Sequence, residues 1–339
     1  MVAFLAVLLQ AAPAAAALPG KNGKIAFSAF RNGNMDVFTV NFDGSGQTRL
    51  TTDPSWDFDP AWSPDGSKIA YTERVDDFGH SFITVMDADG SNKQRVWTLP
   101  EFSLGQPSWS PNGAELAMTL RISSLDIFRG RADGQGSVTA VAAPPFNHSN
   151  QAPAWSPDGT RIAYGQHDFR PAVSSYDLHV ANVDGTGDVN LTPTPSEYEE
   201  LPNWSPDGRT IAIGDEVSDA GIRLYDPDGG NRTVVPGSSR DTHPAFSPDG
   251  TMLVASTWIF EAQHSMLVTY NRDGSERTLI PATERAEWPD WQPIPPPRRA
   301  DFKNAAAYCN AERDHFGEAA FRERYGGGAD AYGRCVSRN

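Results

Sequence analysis

Pro60-Ala61-Trp62-Ser63-Pro64-Asp65-Gly66-Ser67-Lys68-Ile69-Ala70-Tyr71 decides the fold, because the chain goes on to repeat it. It returns as Pro107 to Gly113 with Leu116-Ala117-Met118, as Pro153 to Gly159 with Ile162-Ala163-Tyr164, and as Pro202 to Gly208 with Ile211-Ala212-Ile213. A fifth copy runs from Pro244 to Gly250 and on to Leu253-Val254-Ala255. In all five the aromatic residue and the first aliphatic residue stand seven apart, so the unit is rigid. The aromatic and the aliphatic run read as two short strands, with Ser-Pro-Asp-Gly as the turn between them. Pro sets φ at the first corner, Asp accepts local backbone N–H groups, and Gly takes φ > 0 without a Cβ clash.

A second signature occurs six times, once before the first copy and once after each of the five. Alternating runs such as Asp36-Val37-Phe38-Thr39-Val40 lead into Asp43-Gly44, Asp89-Gly90, Asp133-Gly134, Asp184-Gly185, Asp228-Gly229 and Asp273-Gly274. Period-2 alternation followed by Asp-Gly is a strand and a turn. A short outer strand comes next, clearest at Thr48-Arg49-Leu50-Thr51. Four short antiparallel strands per repeat make a propeller blade. Aliphatic strands start at Ile25, Ile69, Leu116, Ile162, Ile211 and Leu253, but only five have an upstream aromatic-Ser-Pro. The missing partner of Ile25 stands at the other end, in Pro289-Asp290-Trp291. The C-terminal strand is therefore expected to supply the innermost strand of the N-terminal blade. The fold class is all-β, a closed ring of six four-stranded blades followed by a small helical tail.

The Pro-x-Trp-Ser-Pro-Asp-Gly-x-x-Ile-Ala-Tyr pattern resembles the WD40-like (PD40) repeat of the TolB-like six-bladed propellers, over roughly Gly20 to Pro293. Similar repeats occur in the propellers of prolyl-oligopeptidase-type peptidases and of oligogalacturonate-lyase-like proteins. The resemblance implies a periplasmic or extracellular binding scaffold. The first blade starts near the N-terminus, and no Gly-x-Ser-x-Gly elbow is found. Neither a Tol–Pal role nor peptidase activity is expected to carry over.

The expected organisation is a signal peptide at 1–17, the propeller at 20–294, a Pro-rich linker at 295–300 and a tail at 301–339. Ala3 to Leu9 are apolar and too few to span a bilayer, and Ala15-Ala16-Ala17 fits a small-x-small cleavage site. Export to a secreted or periplasmic location follows. A helix is expected from Asp301, its cap, to Tyr325, with Phe302, Ala306, Cys309, Arg313 and Phe316 at helical spacing. The tail is similar to a short cysteine-containing tail of some exported actinobacterial proteins. It holds both cysteines of the protein, Cys309 and Cys335, which are expected to pair.

The formal net charge is −15, and the tail from Arg298 carries +2, leaving −17 on the rest. A phosphate-binding surface needs a basic face, so nucleic acid is not an expected partner. No later stretch is long and apolar enough to be a membrane helix, so the protein is not read as integral to a membrane, and a monomer is expected. The Trp residues of the repeat are read as wedges between blades. The Asp-x-Asp-Gly runs at Asp87 and Asp226 lack the downstream ligands of a calcium loop and are read as turns.

Recognition must come from what differs between blades, and the largest differences precede Pro-x-Trp. The candidate ligand-binding residues there are Trp56, Asp57, Asp59, Gln106, His148, Tyr198, Glu199, Glu200, Asp241, His243, Glu287 and Trp288. The carboxylates would ring the channel mouth and favour a cationic ligand. Trp56, Tyr198 and Trp288 would stack on it, and His148 and His243 would make binding pH-sensitive. No cofactor is expected, a channel cation such as calcium being the one such an acidic mouth admits. The favoured function is a non-catalytic propeller that recognises a protein, peptide or cell-envelope ligand. The alternative is a lyase or hydrolase with a His/carboxylate site at the channel mouth. Binding leads because no catalytic motif has fixed spacing.

Overall fold

In the computed structural model, which describes residues 21–76, 80–99, 102–121, 124–142, 148–169, 175–193, 199–214, 220–326 and 330–339, the spacing of seven becomes a cross-strand pair. Trp62 faces Ile69, Trp109 Leu116, Trp155 Ile162, Trp204 Ile211 and Phe246 Leu253. The turn between them is held by its own side chains. Ser63 Oγ donates to Asp65 Oδ1 at 2.7 Å, Asp65 Oδ1 also accepts Ser67 N at 3.0 Å, and Ser63 Oγ accepts Lys68 N at 2.9 Å. The same bonds recur at Ser156/Asp158 and Ser247/Asp249. Gly66 has φ +68°, and a Cβ there would lie 2.1 Å from Pro293 O, so both the turn and its neighbour demand glycine.

These pairs build six four-stranded antiparallel sheets, the blades. The innermost strands are Ala286–Ile294 for blade one, then Trp56–Trp62, Ser103–Trp109, His148–Trp155, Glu200–Trp204 and Asp241–Phe246 for blades two to six. Blade one is closed as expected: Ala286–Ile294 pairs with Lys21–Arg31, and Trp291 faces Ile25. The repeated aromatics are wedges. Trp62 packs with Ile69, Tyr71 and Met86 of its own blade and with Ala26, Val37 and Leu50 of blade one. Trp291 joins Ile25 and Phe27 to Ala245, Val254 and Leu267 of blade six. The cores thus lie between blades, and each blade is completed by its neighbour.

The tail forms α1 (Ala305–Arg324) and α2 (Ala331–Arg338), joined by the Cys309–Cys335 disulfide with its Cα atoms 6.0 Å apart. Among the described residues its buried cluster contains tail residues alone, including Tyr308, Phe321, Tyr325 and Cys335. Closing a loop of 26 residues stabilises such a small unit by about 3 kcal/mol on the chain-entropy argument. Two details differ from expectation. Asn304, not Asp301, caps α1 by accepting Ala307 N at 2.8 Å, while Asp301 ends a one-turn 3-10 helix and pairs with Arg298. The buried residues of α1 are Tyr308, Cys309 and Glu312 before the break at Gly317 (φ 79°) and Phe321 after it, so the expected Arg313 and Phe316 are not on the buried face. The expected signal peptide, 1–17, lies outside the described residues. Among the described residues no helix is long and apolar enough to cross a membrane.

Candidate functional site

Register places the variable segments on one face. Trp56 pairs with Arg74, Ser103 with Arg121, His148 with Asp168, Asp241 with Thr257 and Ala286 with Ala29. Each innermost strand therefore begins where the second strand of its blade ends. Among the described residues, the crossing segments and the loops between second and third strands share this loop face, and the Ser-Pro-Asp-Gly and Asp-Gly turns occupy the other.

One backbone feature recurs in every blade. The residue before each inner proline is left-handed: Asp59 (φ 53°), Gln106 (53°), Ala152 (52°), Leu201 (58°), His243 (52°) and Trp288 (50°). Each sits in a β-bulge, where the inner strand slips against its partner. The proline after it has no N–H for the ladder and disfavours the right-handed α conformation in the residue before it. A non-glycine residue held this way costs about 1–2 kcal/mol, and the chain accepts that six times. All six line one axial cavity of about 270 Å³.

The bulges are tied by hydrogen bonds that pass from blade to blade. Thr72 Oγ1 donates to Asp59 Oδ2 at 3.1 Å and accepts Gln106 N at 3.0 Å. Thr119 Oγ1 donates to Gln106 Oε1 at 2.9 Å and accepts Ala152 N at 3.2 Å. Further down the axis the residue between Pro and the aromatic alternates in kind. Asp290, Ser108 and Asn203 accept the backbone N–H of Trp62, Trp155 and Phe246 at 2.6, 3.2 and 2.9 Å, while Ala61, Ala154 and Ala245 occupy the blades between. Blades are thereby tied in pairs: one with two, three with four, five with six. Burial pushes the Asp290 carboxyl up to about 6 against two backbone N–H bonds.

The twelve candidate residues separate by position. Asp59, Gln106, His243 and Trp288 line the axis, with Trp288 edge-on to His243 at 5.3 Å and beside Phe58 at 5.8 Å. Trp56 stands at the rim under the Arg74 guanidinium, 5.5 Å away. His148 is half-buried, with Nε2 3.7 Å from Asp168. Glu287, also half-buried, accepts Ser265 Oγ at 3.4 Å. Tyr198 lies outside the described residues, and Glu200 is described by its backbone alone.

Asp57, Glu199 and Asp241 are not at the mouth; all three are 0% exposed. Each stands two residues before the left-handed position, where blades three, four and one carry Leu104, Asn150 and Ala286, also buried. Alternation turns that position into the blade interior, and the bulge then resets which side chain meets the axis. Asp241 is held by Arg277 at 2.7 Å, and Glu199 lies 3.9 Å from buried Arg223 and accepts the Tyr225 hydroxyl. The ring of negative charge expected at the mouth is therefore not formed by these three. Among the described residues no three His, Cys, Asp or Glu side chains gather as a metal-binding group.

Asp57 gives a pH prediction. Burial, then the Asp53 charge, pushes its carboxyl up to about 8, whereas the unfolded chain titrates near the ordinary 3.8. The folded protein then holds a proton that the unfolded one has lost between those values. Stability falls as pH rises through that window, by up to about 1.4 kcal/mol per pH unit. Asp57→Asn should flatten the decline, read as the difference in Tm between pH 5 and pH 8. An equal decline in both proteins would show that Asp57 is not its source.

Two axial positions, Ala152 and Leu201, escaped the sequence because neither side chain suggests chemistry; the signal was their place before proline. Arg74 and Arg121 escaped because they end strands rather than occupy loops. With Phe58, Leu104, Gln151 and Trp288 they line a second cavity of about 550 Å³ that opens from the axis toward blades two and three.

The model of the TolB beta propeller domain (PD40) matches residues 9–168 and 101–295. A protein TolB homolog of Chlorobium luteolum is 29% identical over 179 residues, 52% of this chain and 38% of that protein. The matches cover well under half the length of the curated relatives. Among solved structures, TolB from Acinetobacter baumannii is similar at TM-score 0.65 and 22% identity, covering 80% of this chain and 67% of that one. An oligogalacturonate lyase from Vibrio parahaemolyticus has TM-score 0.52 at 14% identity, covering 76% of this chain and 73% of its own. At such identities both speak for the fold alone. The family model covers most of the propeller, and the chain belongs to the TolB β-propeller domain family.

Proposed function

We propose that this is an exported, non-catalytic binding propeller that takes a segment of a partner protein on its loop face and reads it at the axis. One observation carries the reading. Six left-handed backbone positions present six different side chains (Asp59, Gln106, Ala152, Leu201, His243 and Trp288) to one cavity. The blade fixes the backbone, so the side chain is what is left to encode a ligand. Strain repeated at one site and facing one cavity is the pattern expected where a binding surface is held ready. The loop face also carries exposed Trp56, Val75, Phe169, Trp258 and Phe260, the kind of aromatic-rich surface that protein interfaces bury. Export is consistent with the disulfide and with the apolar segment at 3–9.

The test compares two triple variants as baits against envelope and culture-supernatant fractions, with bound proteins identified by mass spectrometry. Leu201→Ala/His243→Ala/Trp288→Ala changes the axis, and Asp89→Asn/Asp184→Asn/Asp273→Asn changes the opposite face. Partners held by the wild type should be lost at least about tenfold by the first set and kept by the second. Loss confined to the second set would place binding on the opposite face.

A further inference from the structure

We propose that the cavity between blades two and three is a carboxylate subsite, in which the Arg121 guanidinium receives a carboxylate carried by the bound segment. The inference rests on the loop face being the binding face and adds the chemistry of what is bound.

The propeller carries −17, yet among the described residues this cavity is lined by two guanidiniums, Arg74 and Arg121, and one carboxylate, Asp59. The carboxylate accepts the Thr72 hydroxyl at 3.1 Å. Arg74 lies over Trp56 and donates Nε to Asp76 O at 3.2 Å. Arg121 differs. It ends the strand Glu115–Arg121, its side chain is exposed, and among the described residues no hydrogen bond, ion pair or ring contact holds it. Arg49, Arg95 and Arg277, also in blades, are each anchored by a carboxylate at 2.6–2.7 Å.

An arginine fork offers parallel N–H donors that match a carboxylate in two-point geometry. Around it the cavity offers Ser103 and Gln151 as polar neighbours and Phe58, Leu104 and Leu125 as apolar wall. Arg121 is itself exposed, so the gain comes from the two-point geometry of its fork rather than from exclusion of water. The chemistry that fits is a carboxylate with an apolar or aromatic group a few bonds away. Within a protein segment that carboxylate is either an Asp or Glu side chain or the chain's C-terminus.

The test uses four small probes on the full-length protein, followed by calorimetry and ligand-observed NMR. N-acetyl-phenylalanine presents a terminal carboxylate and N-acetyl-glutamate phenethylamide a side-chain one; the primary amide of each is its neutral control. The wild type should bind at least one acid about tenfold more tightly than its amide, as charge-assisted bonds imply. Which acid wins identifies the source. Arg121→Gln should abolish the preference, Arg121→Lys should keep part of it, and Arg285→Gln, elsewhere on the loop face, should leave it intact. Thermal melts should not change, since no bond of Arg121 is lost. The proposal is overturned if no acid binds below about 10 mM, if acid and amide bind alike, or if Arg121→Gln keeps the preference. If Arg121→Gln also retains the partners that the axis variant loses, the carboxylate subsite fails while the binding face stands.

Discussion

Removing residues 286–339 should abolish the cooperative melt of the propeller, whereas removing 298–339 should leave its Tm unchanged within error. The reason is what Ala286–Ile294 covers. Without it the strand Lys21–Arg31 becomes an open edge at the axis, with a row of unpaired backbone groups. Trp291, 3% exposed, leaves the interface shared by blades one and six. Trp62 N loses its Asp290 acceptor at 2.6 Å, and Gly66 O loses the Gln292 amide at 2.8 Å. Trp291→Ala alone should cost about 3–5 kcal/mol, the usual range for truncating a buried large aromatic. The tail, by contrast, buries its own residues around its own disulfide. Calorimetry of both truncations decides the matter, and equal transitions would mean that ring closure contributes nothing.

That closure was legible because it needed only spacing. A residue seven positions before an aliphatic run becomes its cross-strand partner, and Trp291 facing Ile25 is the same relation across the ends of the chain. Turns were legible for a similar reason, since Ser-Pro-Asp-Gly carries its own hydrogen bonds. What spacing did not convey was direction. Asp57 and Asp59 look equivalent in the sequence, yet one enters the blade and the other the axis, because a bulge lies between the two orientations. Counting acids before Pro-x-Trp therefore suggested a mouth that attracts cations, while the side chains that face the larger cavity include Arg74 and Arg121. Ala152 and Leu201 were invisible to any search for chemical groups. The rule that finds all six axial positions is conformational: take the residue before the inner proline.

Two positions before each of these axial residues the side chain is buried in the blade, and at Asp241 that burial has a consequence for stability. Asp241 is fully buried two positions before the left-handed His243, and Arg277 reaches it from beside the outer strand at 2.7 Å while also donating to Thr257 Oγ1 at 3.0 Å. Burial raises the Asp241 carboxyl above its ordinary range, and Arg277 opposes the rise. In Arg277→Met the opposition is gone and the carboxyl rises further. Breaking a buried pair from one side typically costs about 3–5 kcal/mol, because the remaining charge is uncompensated. Here the charge can escape by taking a proton. The folded variant then binds a proton that its unfolded chain has lost above the ordinary pKa of 3.8. Its penalty should be smallest near pH 4 and grow as pH rises toward 8. Asp241→Asn should remove most of the penalty when combined with Arg277→Met, since two neutral side chains leave no charge to desolvate. Chemical denaturation of the single and double variants at pH 5 and pH 8 measures all of this. A penalty independent of pH, or one that Asp241→Asn does not relieve, would mean that Arg277 acts by packing and not by neutralising Asp241.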